Sequence, residues 1–142
     1  GTEDIDIIIE RIPIGKFEKL AKELKEKGFA CIQTTDPEKA YIYLAENESI
    51  RFHKKETPLP EMEVKFVKDA LDEYQMQTRT KLTLTGLNVW FSNINVNIAF
   101  KEELLKSQKD LEDARHLRTV YKEKVNEKEI KDVKKLIREQ RL

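Results

Sequence analysis

The feature that most constrains the fold is an isoleucine-rich run at residues 4–12, in which charged and apolar side chains alternate. Alternation of this kind is typical of a strand with one buried face. Because successive side chains of a strand point to opposite faces, Asp4 and Asp6 share one face with Ile8, while the other face is apolar. The run therefore predicts a half-buried strand with two neighbouring carboxylates near its start.

A second strand with an acidic face is predicted at residues 61–67. Its charged side chains, Glu61, Glu63 and Lys65, alternate with apolar ones that would face the core. If this strand lies beside the first, it brings Glu63 or Glu61 close to the two aspartates. The alternative interpretation is an ordinary cross-strand ion pair between a glutamate and Lys65.

Carboxylates in such numbers on one sheet face favour a divalent cation. Two like charges a few ångströms apart raise each other's pKa unless a cation lies between them. Mg²⁺ prefers carboxylate oxygens and keeps positions for water and phosphate. Three carboxylates can hold two metal ions and also take a proton from an attacking hydroxyl. A solvated acidic strand face is the alternative that the pattern leaves open.

The order of the remaining elements predicts an α+β fold, a mixed β-sheet with flanking helices followed by a helical C-terminal part. Helices are expected from Phe17 to Lys27 and after the Asp36-Pro37 cap, and a strand at residues 49–54. A turn is expected at residues 57–60, because two of its four residues are prolines.

The second half of the chain is expected to begin with a helix at residues 69–77 and a hairpin around Gly86-Leu87. Helices follow from Asn93 onward, with caps at Ser107 and Asn126. We expect an α/β core at residues 1–92 and a helical part at residues 93–142 that packs on it.

Charge and composition limit the possible partners. Lys+Arg and Asp+Glu both number 27, so nucleic-acid binding would need a local basic face. The single cysteine excludes an internal disulfide and a cysteine-based zinc site. There is no apolar run of about 18 residues and no signal peptide, so we expect a cytoplasmic protein without a membrane anchor. Trp90, between Val89 and Phe91, is expected in the core or in a subunit interface of a homo-oligomer rather than as a base-stacking platform.

These residues resemble the DNA-polymerase-beta-like nucleotidyltransferase superfamily, in particular its small stand-alone prokaryotic members of uncharacterised or toxin-like type. Asp4-Ile5-Asp6-Ile7 looks like the family's metal-binding strand, and Glu63-Val64-Lys65 resembles the later strand with a third carboxylate. The run K-D-L-E-D-A-R-H-L at residues 109–117 resembles the family's lysine- and aspartate-rich C-terminal helix. The likeness extends over most of the chain.

The resemblance implies an Mg²⁺- or Mn²⁺-dependent transfer of a nucleotide from a nucleoside triphosphate to a hydroxyl acceptor. Asp4, Asp6 and Glu63 would be its metal ligands and catalytic carboxylates. Lys65 and Lys109 would contact substrate, although a salt-bridged surface helix is the simpler interpretation of Lys109. The acceptor could be a protein, an RNA end or a small molecule.

The chain departs from the family pattern in two ways. The Gly-Ser or Gly-Gly turn that cradles the triphosphate has no counterpart here, and we expect it in a segment upstream of Gly1. The third carboxylate is a glutamate, Glu63, where aspartate is commoner. A non-catalytic binding or regulatory module with the same fold is therefore the second hypothesis.

Overall fold

The structure is a computed structural model that describes residues 4–142, with the backbone alone at residues 58, 59 and 83. The chain divides between Lys68 and Asp69 into two compact units, here called unit 1 and unit 2. The boundary expected at residues 92 and 93 falls inside unit 2. The predicted α+β class is confirmed, with a mixed four-stranded sheet, flanking helices and a helical C-terminal part.

Unit 1 holds the sheet and two helices. In chain order its elements are β1 (Ile5–Ile9), α1 (Ile14–Glu26), β2 (Phe29–Cys31), α2 (Pro37–Ala45), β3 (Ile50–Lys54) and β4 (Thr57–Phe66). The strand order is β1-β4-β3-β2, with β1 parallel to β4 and the other pairs antiparallel. The second acidic strand thus lies beside the first, which is the arrangement that brings Glu63 close to the aspartates.

Local side-chain chemistry explains where the helices of unit 1 begin and end. Asp36 caps α2 by accepting a hydrogen bond of 3.0 Å from the Glu38 amide, and Pro37 occupies the first helical position. Gly28 follows α1 with a φ of 92°, a conformation that glycine adopts without steric cost. Both helices pack on one face of the sheet in a single apolar core, whose fully buried large side chains are Phe17, Leu44, Ile50 and Phe66.

The turn predicted at residues 57–60 is wrong by about two positions. Strand β4 already begins at Thr57, which pairs with Lys54, and the chain reverses at Lys55 and Glu56. Glu56 has a φ of 68°, so a non-glycine residue takes the left-handed conformation there. The two prolines instead stand in the first part of β4, before the residues that pair with β1, where their fixed φ suits an extended chain.

Unit 2 is helical. Its elements are α3 (Ala70–Gln77), a 3₁₀ turn (Thr83–Thr85), α4 (Ile94–Phe100), a π-helical segment (Lys101–Leu105), α5 (Gln108–Val120) and α6 (Glu127–Arg141). The predicted caps are confirmed. Ser107 and Asp110 form a reciprocal capping box at α5, and Asn126 accepts a 3.0 Å hydrogen bond from the Glu129 amide at α6.

The hairpin predicted around Gly86-Leu87 is wrong. Only Thr80 and Phe91 pair, through backbone hydrogen bonds of 2.8 and 2.7 Å, and the chain between them contains the 3₁₀ turn. The core position predicted for Trp90 is also wrong, because 58% of that side chain is exposed. Its place in a subunit interface stays a prediction.

Two groups of ion pairs, here called the charged clamps, connect elements of unit 2. Glu102, in the π-helical segment, accepts hydrogen bonds from Arg118 on α5 and Lys134 on α6. Arg141, at the end of α6, donates to Asp69 and to the fully buried Asp72. Across residues 4–142, no helix is both long enough and apolar enough to cross a membrane.

Candidate functional site

The candidate site is a row of charged residues that crosses three strands of unit 1. Asp6 on β1 pairs in register with Glu63 on β4, and Glu63 pairs in turn with Arg51 on β3. Register neighbours on one face have Cβ atoms about 5 Å apart. The parallel pairing of β1 with β4 therefore brings together Asp6 and Glu63, which are 57 positions apart in the chain (63 − 6).

The row lies on the sheet face opposite the helices. Val64, next to Glu63, and Phe52, next to Arg51, are buried in the core shared with α1 and α2. The alternation of the strands then directs Glu63 and Arg51 away from that core. The apolar and acidic faces that the sequence predicts for β1 and β4 are thus assigned to the two sides of the sheet.

The Glu63 side chain is held by Arg51 on β3 and by Ser49, the residue just before β3. The Ser49 hydroxyl donates a hydrogen bond of 2.8 Å to Oε1 of Glu63, and Nη2 of Arg51 lies 3.7 Å from Oε2. Arg51 is shared, because its Nη1 lies 3.8 Å from Oε2 of Glu61. Ion pairs of this length and exposure are weak. They orient the Glu63 carboxylate and leave much of its charge uncompensated.

The electrostatic character of the site shows most clearly at Asp6. Partial burial and the negative charges of Glu63 and Asp4 raise the pKa of the Asp6 carboxyl, and Lys65 opposes that rise without cancelling it. The carboxyl groups of Asp6 and Glu63 are also within hydrogen-bonding reach of each other. Two neighbouring carboxylates repel each other, and a shared proton or a bound cation relieves that repulsion.

Of the three predicted metal ligands, Asp4 is the least fixed by its surroundings. It immediately precedes β1, its side chain is exposed, and it acts on Asp6 through its charge. Within residues 4–142, no three His, Cys, Asp or Glu side chains are gathered closely enough to hold a metal ion as they stand. The structure therefore brings two of the three predicted carboxylates into contact and leaves the third within electrostatic range.

The two predicted substrate-binding lysines lie in different units. Lys65 is on β4, two residues after Glu63, and its charge reaches Asp6. Lys109 is on α5 of unit 2, where its Nζ lies 3.4 Å from Asp113, a carboxylate that Lys101 also approaches at 3.3 Å. The salt-bridged helix interpretation of Lys109 is confirmed as a contact, and substrate binding by either lysine stays a prediction.

A polar cluster in unit 2 was not predicted. Glu129 on α6 accepts hydrogen bonds from Asn95 at 2.8 Å, from Asn93 at 3.3 Å and from the Tyr74 hydroxyl. Burial, and then Glu129 itself, raise the pKa of Tyr74 to about 12. The cluster borders an open pocket of about 330 Å³. The sequence signal for it is the N-I-N-V-N run at residues 93–97, where three asparagines recur in a helix that is otherwise apolar.

Comparison of the chain with protein-family models, with curated protein sequences and with solved structures finds no match. The resemblance to nucleotidyltransferases accordingly stays a prediction. The chemistry open to the site follows from its own residues, above all from the contact between Asp6 and Glu63.

Proposed function

We propose that unit 1 is the divalent-cation site of a nucleotidyltransferase-like protein, which transfers a nucleotide from a nucleoside triphosphate to a hydroxyl acceptor. The observation that carries the proposal is the contact between the Asp6 and Glu63 carboxyl groups, with Asp4 adding a third negative charge. An Mg²⁺ or Mn²⁺ ion would remove this repulsion, and its preference for oxygen ligands fits three carboxylates. The sequence resemblance, which rests on the same three carboxylates, implies the same chemistry.

In this proposal Asp6 and Glu63 would hold the ion, and Asp4 would join them by rotation of its exposed side chain. The bound ion would supply charge neutralisation for the triphosphate. The acceptor oxygen bonds to the α-phosphorus, the bond from that phosphorus to the bridging oxygen breaks, and pyrophosphate leaves. Glu63 takes the proton of the acceptor hydroxyl, while Ser49 and Arg51 keep its carboxylate in place.

Lys65 is the residue on this sheet face that suits the substrate. It is placed two residues after Glu63 on the same strand and acts electrostatically on Asp6. A lysine ammonium is a compact point charge that binds phosphate oxygens. It would attract the anionic triphosphate to the acidic row once the cation is bound.

The metal site is tested by calorimetric titration of Mg²⁺ and Mn²⁺, each with and without ATP, GTP, CTP and UTP. Binding by the unaltered chain should be lost in an Asp6→Asn/Glu63→Gln variant. Glu10→Gln is the matched control, because Glu10 is an exposed acid just after β1. Equal cation binding by the double variant and the unaltered chain would refute the site.

Turnover requires a separate assay. The chain is incubated with Mg²⁺ and α-labelled triphosphates, and pyrophosphate release and label transfer to protein, RNA and aminoglycoside acceptors are followed. Label transfer that Asp6→Asn/Glu63→Gln abolishes supports the enzyme. Cation and nucleotide binding without release of pyrophosphate would instead indicate a non-catalytic binding module.

A further inference from the structure

A cationic and aromatic surface stands on unit 2, far along the chain from the acidic row. We call it the Trp90 patch, defined by Arg79, Lys81 and Trp90. The guanidinium carbon of Arg79 lies 5.1 Å from the centroid of the indole ring, and Nζ of Lys81 lies 4.8 Å from it. Both distances are within the range of cation–π contacts. Trp90 is 58% exposed, so a ligand can reach the indole ring and the two cations beside it.

The pairing of Thr80 with Phe91 creates this arrangement. Where two extended segments pair, the neighbours of the paired residues point to the opposite side. Thr80 lines the open pocket of unit 2 and Phe91 packs against its core, whereas the residues beside them, Arg79, Lys81 and Trp90, are exposed on the other side.

The two cations are held in place. Nη1 of Arg79 donates a 2.7 Å hydrogen bond to the Met76 carbonyl, and Nζ of Lys81 donates a 2.8 Å hydrogen bond to Oδ1 of Asn88. A guanidinium has five N–H donors and an ammonium has three, so both groups keep donors for a further acceptor. Holding them reduces the conformational entropy that a ligand would otherwise have to remove.

The charge of the surrounding chain is one-sided. Residues 79–92 contain two cations and no acid, in a protein whose charges balance overall. Arg79 and Lys81 thus supply the local positive charge that nucleic-acid binding by a neutral chain requires. The exposed side chains of Leu84 and Leu87 in the same segment add apolar surface.

We propose that the Trp90 patch binds single-stranded nucleic acid, with a base stacked on the indole and neighbouring phosphates on Arg79 and Lys81. A single strand places flat aromatic faces and anionic groups side by side, which matches an aromatic ring with cations about 5 Å away. An acidic peptide supplies carboxylates without obligatory flat faces, and an anionic lipid surface supplies charge above alkyl chains. The assignment does not depend on nucleotide transfer by unit 1.

The test measures fluorescence anisotropy of 5′-labelled rU15 and dT15 with the unaltered chain and its variants. Trp90 is the only tryptophan, so stacking should also quench the intrinsic fluorescence of the chain. Stacking of one base changes affinity by about tenfold or more, so Trp90→Ala should weaken binding by that factor while Trp90→Phe stays close to the unaltered chain. Arg79→Gln/Lys81→Gln should make the slope of log affinity against log salt shallower by about 1.4, at about 0.7 for each phosphate contact.

Matched controls come from unit 1. Lys54 also stands over an aromatic ring, that of Phe29 at 6.0 Å, and Tyr43 is another exposed aromatic side chain. Lys54→Gln and Tyr43→Ala should leave the affinity unchanged. Asp6→Asn/Glu63→Gln should also retain full binding, so failure of the proposed nucleotide transfer and failure of this site are distinguishable.

Four results would overturn the proposal. The first is the absence of binding to either oligonucleotide, and the second is equal binding of an abasic oligonucleotide of the same length. The third is an unchanged affinity of the Trp90→Ala variant. The fourth is that the chain prefers polyglutamate or phosphatidylserine vesicles to the oligonucleotides and that Trp90→Ala weakens this binding. Circular dichroism should give the same melting temperature for the Trp90→Ala variant and the unaltered chain, because the removed side chain is mostly exposed.

Discussion

In two glutamate- and aspartate-rich regions of this chain, the surroundings shift the pKa of a carboxyl group in opposite directions. In unit 2, hydrogen bonds from Arg118 and Lys134 lower the pKa of Glu102, even though burial acts in the other direction. In unit 1, burial and the charges of Glu63 and Asp4 raise the pKa of Asp6. The same type of group therefore has its ionised form favoured in one place and disfavoured in the other.

The difference shows which acidic groups the fold neutralises by itself. Glu102 contacts two cations from two helices, and Asp69 and Asp72 share Arg141. On the sheet of unit 1, Arg51 stays 3.7 Å from Glu63, and burial together with the neighbouring acids outweighs the effect of Lys65 on the pKa of Asp6. Groups that stay electrostatically unfavourable in a folded protein are concentrated at functional sites. This contrast is the reason to assign a ligand to unit 1 rather than to the clamps of unit 2.

The largest expected effect comes from breaking a clamp of unit 2. Arg141→Met removes the guanidinium that contacts Asp69 and the fully buried Asp72. Loss of one partner of a buried ion pair typically costs about 3–5 kcal/mol. We expect a decrease of that size in the free energy of unfolding, measured by urea denaturation followed by circular dichroism.

Arg138→Met is the matched control for this prediction. Arg138 lies on the same helix and contacts Glu103, but it is about half exposed. An exposed pair contributes about 0–1 kcal/mol, so this variant should remain close to the unaltered chain. Equal decreases in the free energy of unfolding for the two variants would show that the ion pairs of Arg141 contribute no more to the stability of unit 2 than the exposed pair of Arg138.

Glu102→Gln should produce the next largest effect and reveal its pH dependence. The lowered pKa of Glu102 means that its stabilisation is fully present above its unfolded-state pKa and disappears as the pH falls through the folded-state pKa. At pH 7 we expect a loss of about 1.5–3 kcal/mol, the usual value of hydrogen bonds to charged groups. The variant and the unaltered chain should converge in acid, and a constant difference from pH 7 to pH 2 would contradict the assignment.

Asp6→Asn should have the smallest effect and the opposite sign. Because the pKa of Asp6 is raised on folding, the folded state binds its proton more tightly than the unfolded chain does. The contribution of Asp6 to stability is present below its unfolded-state pKa and is lost as the pH rises through its folded-state pKa. Without divalent cations at pH 7, the Asn variant should therefore melt at a higher temperature than the unaltered chain.

Saturating Mg²⁺ should reverse that order, since a ligand that binds only the folded state stabilises it by about 2.7 kcal/mol at 100 times its Kd. Thermal melts of the Asp6→Asn variant and the unaltered chain, recorded in EDTA and in Mg²⁺, measure the order of the melting temperatures and its reversal. A lower melting temperature of Asp6→Asn in EDTA would show that Asp6 is a structural acid like Glu102.

Features governed by nearby residues could be predicted from the sequence. The caps at Asp36, Ser107 and Asn126 form because a short polar side chain reaches an amide two or three residues ahead. The two-residue alternation in β1 and β4 likewise assigned the acidic and apolar faces.

Features that depend on distant residues could not be predicted in the same way. The turn at Lys55 and Glu56 replaced the proline turn because antiparallel pairing of β3 with β4 outweighs the strain of a positive φ at Glu56. Trp90 looked like a core residue between Val89 and Phe91, yet the bridge from Phe91 to Thr80 turns it outward. The hydrogen bond from Ser49 to Glu63 has no signal in the nearby sequence, because it joins residues 14 positions apart and depends on the register of the strands.

The most direct measurement of the contrast between the units is the titration of individual carboxyl groups by carbon-13 NMR, with and without Mg²⁺. Asp6 should titrate above its ordinary range in EDTA, its pKa should fall in Glu63→Gln, and it should fall again in the unaltered chain when Mg²⁺ is added. Glu102 should titrate below its ordinary range in both conditions. An Asp6 pKa within its ordinary range in EDTA and insensitive to Mg²⁺ would contradict the assignment of a cation site to unit 1.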